Sequence, residues 1–162
     1  TIIVVEEEEP SIGQLPSTAY TTPYLPRTFS YDGTTNLSTG LTIKDGAQNE
    51  YVWVEVPRNT IVYDEIGINI DLDSLTESEF ITACNNIETE LQEYATDYRD
   101  PDNYSDTWYS GCGIASADDY NDLKRTMLKS VYENGGFYIG KYETANNIEK
   151  FLMRLTKIFR SS

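Results

Sequence analysis

Two spacings of apolar residues divide this chain into strands and helices. In Leu41-Thr42-Ile43, and more densely through Tyr51-Val52-Trp53-Val54-Glu55-Val56, apolar and β-branched side chains follow the two-residue alternation of a strand. Asp45-Gly46 opens a turn between the runs, so the pattern predicts a hairpin with Asp45 to Asn49 at its tip. Pro57 ends it, having no N–H to give to a ladder. The spacing then changes to three and four. Phe80, Cys84, Ile87, Leu91, Tyr94 and Tyr98 share one helical face behind Thr76 and Glu79, which fit a capping box, and predict a helix to about Tyr98. A second helix starts at Ser116, with Asp118, Asp119 and Asp122 early and Lys124, Arg125 and Lys129 late, the order the helix dipole prefers. Its stripe is Tyr120, Leu123, Met127 and Val131, and it ends at Asn134-Gly135-Gly136, where glycine accepts the left-handed backbone of a helix terminus. Period two returns at once: Phe137, Ile139 and Lys141 point one way, Tyr138, Gly140 and Tyr142 the other. A strand aromatic on both faces has to be covered on both. Ile148, Phe151, Leu152, Leu155, Ile158 and Phe159 predict a third amphipathic helix, capped by Asn146 or Asn147.

These elements imply an α+β fold: a small antiparallel sheet containing the Tyr51 and Phe137 strands, with two or three helices packed on it. At 162 residues there is material for one domain with a real core, expected over residues 37–162. Residues 1–36 form a separate preface. Thr1-Ile2-Ile3-Val4-Val5 is fused to Glu6-Glu7-Glu8-Glu9 and reads either as a strand with a charged gatekeeper or as a solvated leader. Four of the six prolines fall between Pro10 and Arg27, which predicts an extended linker or strap, and Tyr20, Tyr24, Leu25 and Phe29 favour a strap that docks. Thr1 to Val5 is too short for a signal-peptide core, although it would fit the stub of a removed segment.

Charge narrows the partners. The net charge is −15, yet residues 144–162 carry Lys150, Arg154, Lys157 and Arg160 against Glu149 alone, a balance of +3 that leaves −18 on the rest. So acidic a body repels phosphate backbones, and no nucleic-acid partner is expected. The basic tail is expected to pack on its own acidic body, with an anionic membrane surface as the other reading. No run approaches eighteen apolar residues, so no membrane-spanning helix is expected.

Candidate chemistry is sparse. Histidine is absent, which removes the usual neutral-pH base and the commonest metal ligand. Cys84 lies on an apolar stripe and reads as a buried thiol, whereas Cys112 sits in the loop Ser110-Gly111-Cys112-Gly113; a bridge between them stays open. Without histidine neither thiol has its usual activator. Asp97, Asp100, Asp102 and Asp106 lack the one-three-five spacing and trailing glutamate of an EF-hand loop, so they read as a solvated loop, with Ca²⁺ as the weaker alternative and no other cofactor or metal expected. No carboxylate pair is singled out by its surroundings for glycosidase chemistry. Tyr104, Trp108 and Tyr109 form the candidate ligand-binding surface, because aromatic rings among polar loop residues suit protein or sugar recognition. The competing reading folds Trp108 and Tyr109 inward over the helices.

Two stretches carry a resemblance. Tyr51-Val52-Trp53-Val54-Glu55-Val56-Pro57, followed by Gly136-Phe137-Tyr138-Ile139-Gly140-Lys141-Tyr142-Glu143-Thr144, resembles the opening of a formylglycine-generating-enzyme-like (sulfatase-modifying-factor) domain, in the form found on surface and prophage proteins of gut Firmicutes. The specific part is about sixteen residues within a match over roughly residues 37 to 151, to which Thr144, Asn146, Ile148 and Phe151 add a loose continuation. The resemblance implies a C-type-lectin-like scaffold, used in the family for oxidising a substrate cysteine or for ligand binding. The family's catalytic cysteines and metal sites lie well beyond the second strand, and only about nineteen residues follow Glu143 here. Cys84 and Cys112 fall between the two motifs, so neither matches a catalytic position. The expectation is therefore a non-catalytic binding or structural domain, extracellular, on a cell surface or phage-associated. The alternatives are a structural subunit that oligomerises through its N-terminal strand and a truncated, inactive copy of the cysteine-oxidising enzyme.

Overall fold

A computed structural model describes residues 15–95 and 108–141. The predicted hairpin is present as β1 (Thr42–Lys44) and β2 (Glu50–Glu55), joined by the Asp45 to Asn49 turn. Asp45 organises that turn: one carboxylate oxygen accepts the amides of Ala47 and Asn49, each at 2.9 Å, and the other accepts the Asn49 side-chain amide at 3.0 Å. β3 (Gly136–Gly140) pairs antiparallel with β2, placing Trp53 opposite Tyr138 and Val54 opposite Phe137. The sheet order is β1-β2-β3, so the two aromatic ribbons, distant in sequence, are neighbours and the fold is α+β.

Both helices form within the long connection from β2 to β3. In α1 (Glu77–Tyr94) the Thr76–Glu79 capping box is complete, and Cys84, Ile87 and Leu91 are buried, flanked by the partly buried Phe80 and Tyr94. The helix stops at Tyr94, one turn before the expected Tyr98: Ala95 leaves helical geometry while its N–H still reaches the Leu91 carbonyl. In α2 (Ala117–Asn134) Ser116 caps the start, and Gly135 ends it at φ 71°. Its buried face is wider than the predicted stripe, adding Leu128, Ser130 and Tyr132, because α2 packs on both α1 and β3.

Period two in β3 has the predicted consequence. Phe137, with Val54 and Val56, faces the helices in a core with Tyr63, Leu72, Cys84, Ile87, Leu91, Met127, Leu128, Val131 and Tyr132. Tyr138 and Trp53 face the other way, into a second core with Leu41, Ile43, Tyr24 and Leu25. Tyr24 and Leu25 come from the proline-rich strap, which therefore serves as the cover for that face. Trp53, Tyr138 and Tyr24 meet edge to face at centroid distances of 4.8–5.6 Å, the arrangement their quadrupoles favour. Tyr20, in the same strap, is largely exposed.

The strap is fastened by hydrogen bonds that no local pattern signals. Trp53 Nε1 donates to the Thr21 hydroxyl, which donates to the Gly135 carbonyl, both at 2.8 Å and both buried. The Tyr138 hydroxyl donates to the Tyr24 carbonyl at 2.6 Å. Thr22 N–H reaches the Asn134 carbonyl and Arg58 N–H the Tyr20 carbonyl, so the strap ties the end of α2 to the segment after β2. The stretch between β2 and α1, which has no clear period, is organised from the inside. Arg58 lies over the Tyr132 ring, Tyr132 accepts from Ile70 N–H and donates to the Gly67 carbonyl, and the buried Glu90 carboxylate accepts the amides of Glu65 and Ile66.

Candidate functional site

Among the described residues, α1 and α2 cover one end of the sheet face they pack on. Val54, Val56 and Phe137 lie beneath them, while Val52 and Ile139, further along, are half-buried and belong to neither core. Beyond these, the same face carries Thr42 and Lys44 from β1, Glu50 from β2, and Lys141 just after β3; Lys44 stands opposite Glu50 in the register. The alternation that buries Leu41, Ile43, Tyr51 and Trp53 on one side obliges these polar residues to share the other.

The strap completes the site by folding over the edge of β1. Ser30 exchanges both backbone hydrogen bonds with Lys44, at 2.8 and 3.0 Å, and the Thr35 hydroxyl accepts Thr42 N–H at 2.8 Å. These contacts occupy edge groups that would otherwise invite another strand. They also bring Ser30, Asp32, Thr34 and Thr35 against the polar end of the sheet. The result is a cleft of about 140 Å³ lined, among the described residues, by four Ser and Thr residues, Asp32, Glu50, Lys44 and Lys141.

Some of its groups are bonded within the wall and others have no hydrogen-bond partner among the described residues. Asp32 Oδ1 accepts Thr34 N–H at 2.9 Å and the Thr34 hydroxyl at 2.6 Å, and the Thr42 hydroxyl is spent on the Gly40 carbonyl at 2.9 Å. The Tyr31 hydroxyl donates to the Thr35 carbonyl behind the wall. Lys141 pairs with Glu50 Oε2 at 3.7 Å. Among the described residues nothing bonds to Asp32 Oδ2, to the Ser30 hydroxyl or to the Lys44 ammonium. Hydrogen bonds from Thr34, with the nearby Lys44 charge, hold the Asp32 carboxyl below its usual range, so it is an anion at neutral pH.

Of the residues expected from the sequence to bind ligand, two fall within the described stretches. Tyr109 is partly buried and stacks on Tyr120, centroids 5.6 Å apart, against the helical core. Trp108 opens the short 3-10 turn Trp108–Cys112. Tyr104 and the acidic loop Asp97, Asp100, Asp102 and Asp106 lie outside the described residues, as do Thr1 to Val5 and the basic C-terminal stretch. Among the described residues no three of His, Cys, Asp and Glu gather as a metal site would require, and no helix is long and apolar enough to cross a membrane. Cys84 is a free, buried thiol whose pKa desolvation pushes up to about 11, which leaves it unreactive at neutral pH.

None of the cleft residues stood out in the sequence. The available signals were the polar members of the β1 alternation, Thr42 and Lys44, opposite Glu50, and the turn-forming Asp32-Gly33-Thr34; the contact between them is made only by the strap crossing the edge. Comparison with family models, with curated proteins and with solved structures gives no match for this chain.

Proposed function

We propose that this chain is a non-catalytic binding domain of an extracellular or phage-associated protein, on a scaffold resembling the front part of a formylglycine-generating-enzyme-like module, and that it takes its ligand in the polar cleft between the strap and the polar end of the sheet. One observation supports the binding reading: Asp32, Ser30 and Lys44 line one small cleft, and Asp32 Oδ2, the Ser30 hydroxyl and the Lys44 ammonium have no hydrogen-bond partner among the described residues, while the wall beside them is held by hydrogen bonds. Unspent polar groups on a rigid wall can exchange water for a ligand with little ordering cost. The scaffold reading rests on the pairing of the two strand motifs as β2 and β3. The buried thiol at Cys84 and the lack of histidine support binding over covalent or acid–base chemistry.

Probing arrays of glycans and of proteins with the wild-type chain and with Asp32→Asn and Lys44→Met variants tests this. The expected result is a ligand retained by the wild type and lost by both variants, with the circular dichroism of all three superimposable. A ligand that survives both changes but is lost on Tyr109→Ala would move the site to the loop before α2. An absence of any ligand on either array would overturn the binding reading itself.

A further inference from the structure

Taking the binding reading as given, we infer that the cleft accepts a single neutral sugar ring, held through a pair of adjacent hydroxyls by Asp32, Ser30 and Lys44. Hydrogen-bond polarity sets the chemistry of the ligand. Asp32 Oδ2 can only accept, the Lys44 ammonium can only donate, and the Ser30 hydroxyl does both. A ligand satisfying all three must offer donors and acceptors side by side. Adjacent sugar hydroxyls do so, since each gives one proton and accepts on its oxygen.

Charge selects among ligands of that kind. Among the described residues the cleft lining is balanced in charge, with Asp32 and Glu50 against Lys44 and Lys141. Around it lies a chain of net charge −15, which disfavours the approach of uronates, sialylated chains and phosphate-bearing polymers. A neutral ligand escapes that repulsion and still uses charge-assisted hydrogen bonds, which are stronger than neutral ones.

Size limits the ligand further. At about 140 Å³ the cleft is smaller than the several hundred Å³ of sites that enclose drug-sized ligands. It has room for one ring, as at the end of a glycan, and not for a run of several. Among the described residues no aromatic ring lines it, so these residues orient a ligand through hydrogen bonds, and binding of a lone monosaccharide should be weak, on the order of millimolar. Useful avidity would come from several copies of the domain presented together.

Titration of the ¹⁵N-labelled full chain with methyl glycosides of the common neutral hexoses and N-acetylhexosamines, monitored by amide chemical shifts, tests the assignment. Glucuronate and glycine are the charged and zwitterionic comparisons. At least one neutral glycoside should give saturable shifts at Ser30, Asp32, Thr34 and Lys44, and glucuronate should bind more weakly. Asp32→Asn keeps an oxygen for the Thr34 turn and puts a donor where the ligand needs an acceptor; Lys44→Met keeps the aliphatic stem. Each should weaken binding by about tenfold or more, since each removes a charged hydrogen bond. Three outcomes overturn the sugar assignment: no saturable shift at these amides up to roughly 100 mM, a hundredfold beyond a millimolar constant, stronger binding of glucuronate or glycine, or full binding by both variants. If the protein array instead yields a partner lost by the same two variants, the cleft remains the binding site and only its assignment to sugars falls.

Discussion

Gly135 and Gly136 show how much of the architecture rests on two missing side chains. A Cβ on Gly135 would run into the Tyr20 carbonyl oxygen and the Thr21 backbone, and one on Gly136 into the Val54 carbonyl and the Trp53 ring. The sequence marks this pair as a helix end, which Gly135 is, at φ 71°. It does not reveal that the strap and β2 come within contact distance of the same two residues. Gly135→Ala should therefore lower stability by at least about 2 kcal/mol in urea unfolding, since it combines left-handed strain with a backbone clash. A loss of only a few tenths would mean that the strap does not sit against the helix end. Asp45 makes a separate prediction. The Asn49 side chain, with the amides of the turn, holds its carboxyl below the ordinary value of 3.8. A folded-state pKa below the unfolded one gives a contribution present in full above about 4 and lost as pH falls through the lower folded value. The Ala47 and Asn49 amide resonances should accordingly titrate below pH 3.8, and Asp45→Asn should abolish the transition. An inflection at or above the ordinary value would contradict the turn geometry.

Among the elements, α1, α2 and the hairpin follow their sequence signals closely, because each is specified by residues near to one another in the chain. Thr76 and Glu79 are a reciprocal pair across one turn, Ser116 caps α2, and the β1–β2 register follows from the Asp45 turn. The stretch Asn59 to Leu75 had no such signal, yet it supplies Val62, Tyr63 and Leu72 to the core. Its turns are held by Glu90 and Tyr132 from elsewhere in the chain and by the adjoining Arg58. The strap is the opposite case: its prolines announce an extended segment, and its aromatic residues announce docking without saying where. Tyr24 contacts Trp53 and Tyr138 and accepts the Tyr138 hydroxyl on its carbonyl, so Tyr24→Ala should cost about 3 kcal/mol, within the range for deleting a buried aromatic ring. Trp53 fluorescence should shift to the red in the same variant. An unchanged spectrum with full stability would show that the second core does not depend on the strap.

For the molecule as a whole, net charge dominates the response to solvent. At −15 over 162 residues, mutual repulsion opposes compaction, against ion pairs such as Lys124–Glu88 at 3.0 Å and Lys129–Asp73 at 2.8 Å. Raising sodium chloride from about 10 mM to about 150 mM shortens the screening length from roughly 30 Å to 8 Å. The melting temperature should rise over that range, and a fall would mean that attractive pairs outweigh the repulsion. The cleft also belongs at this level. Its walls come from the strap, from β1, from β2 and from the residue after β3, four stretches that only the closed sheet assembles.

The α+β class, the hairpin, the helix starts and the demand that β3 be covered on both faces were all readable from residue spacing, since period and capping act over a few positions and need no knowledge of the partner. Folding chose what covers each face: helices on the Phe137 side, the strap on the Tyr138 side. Among the described residues, α1 and α2 cover one end of that face, and the strap meets the other to form the candidate site. A contact such as Ser30 with Lys44, or Thr21 with Trp53, depends on where a proline-rich segment lies after the sheet has formed, and neither residue type nor periodicity encodes that position.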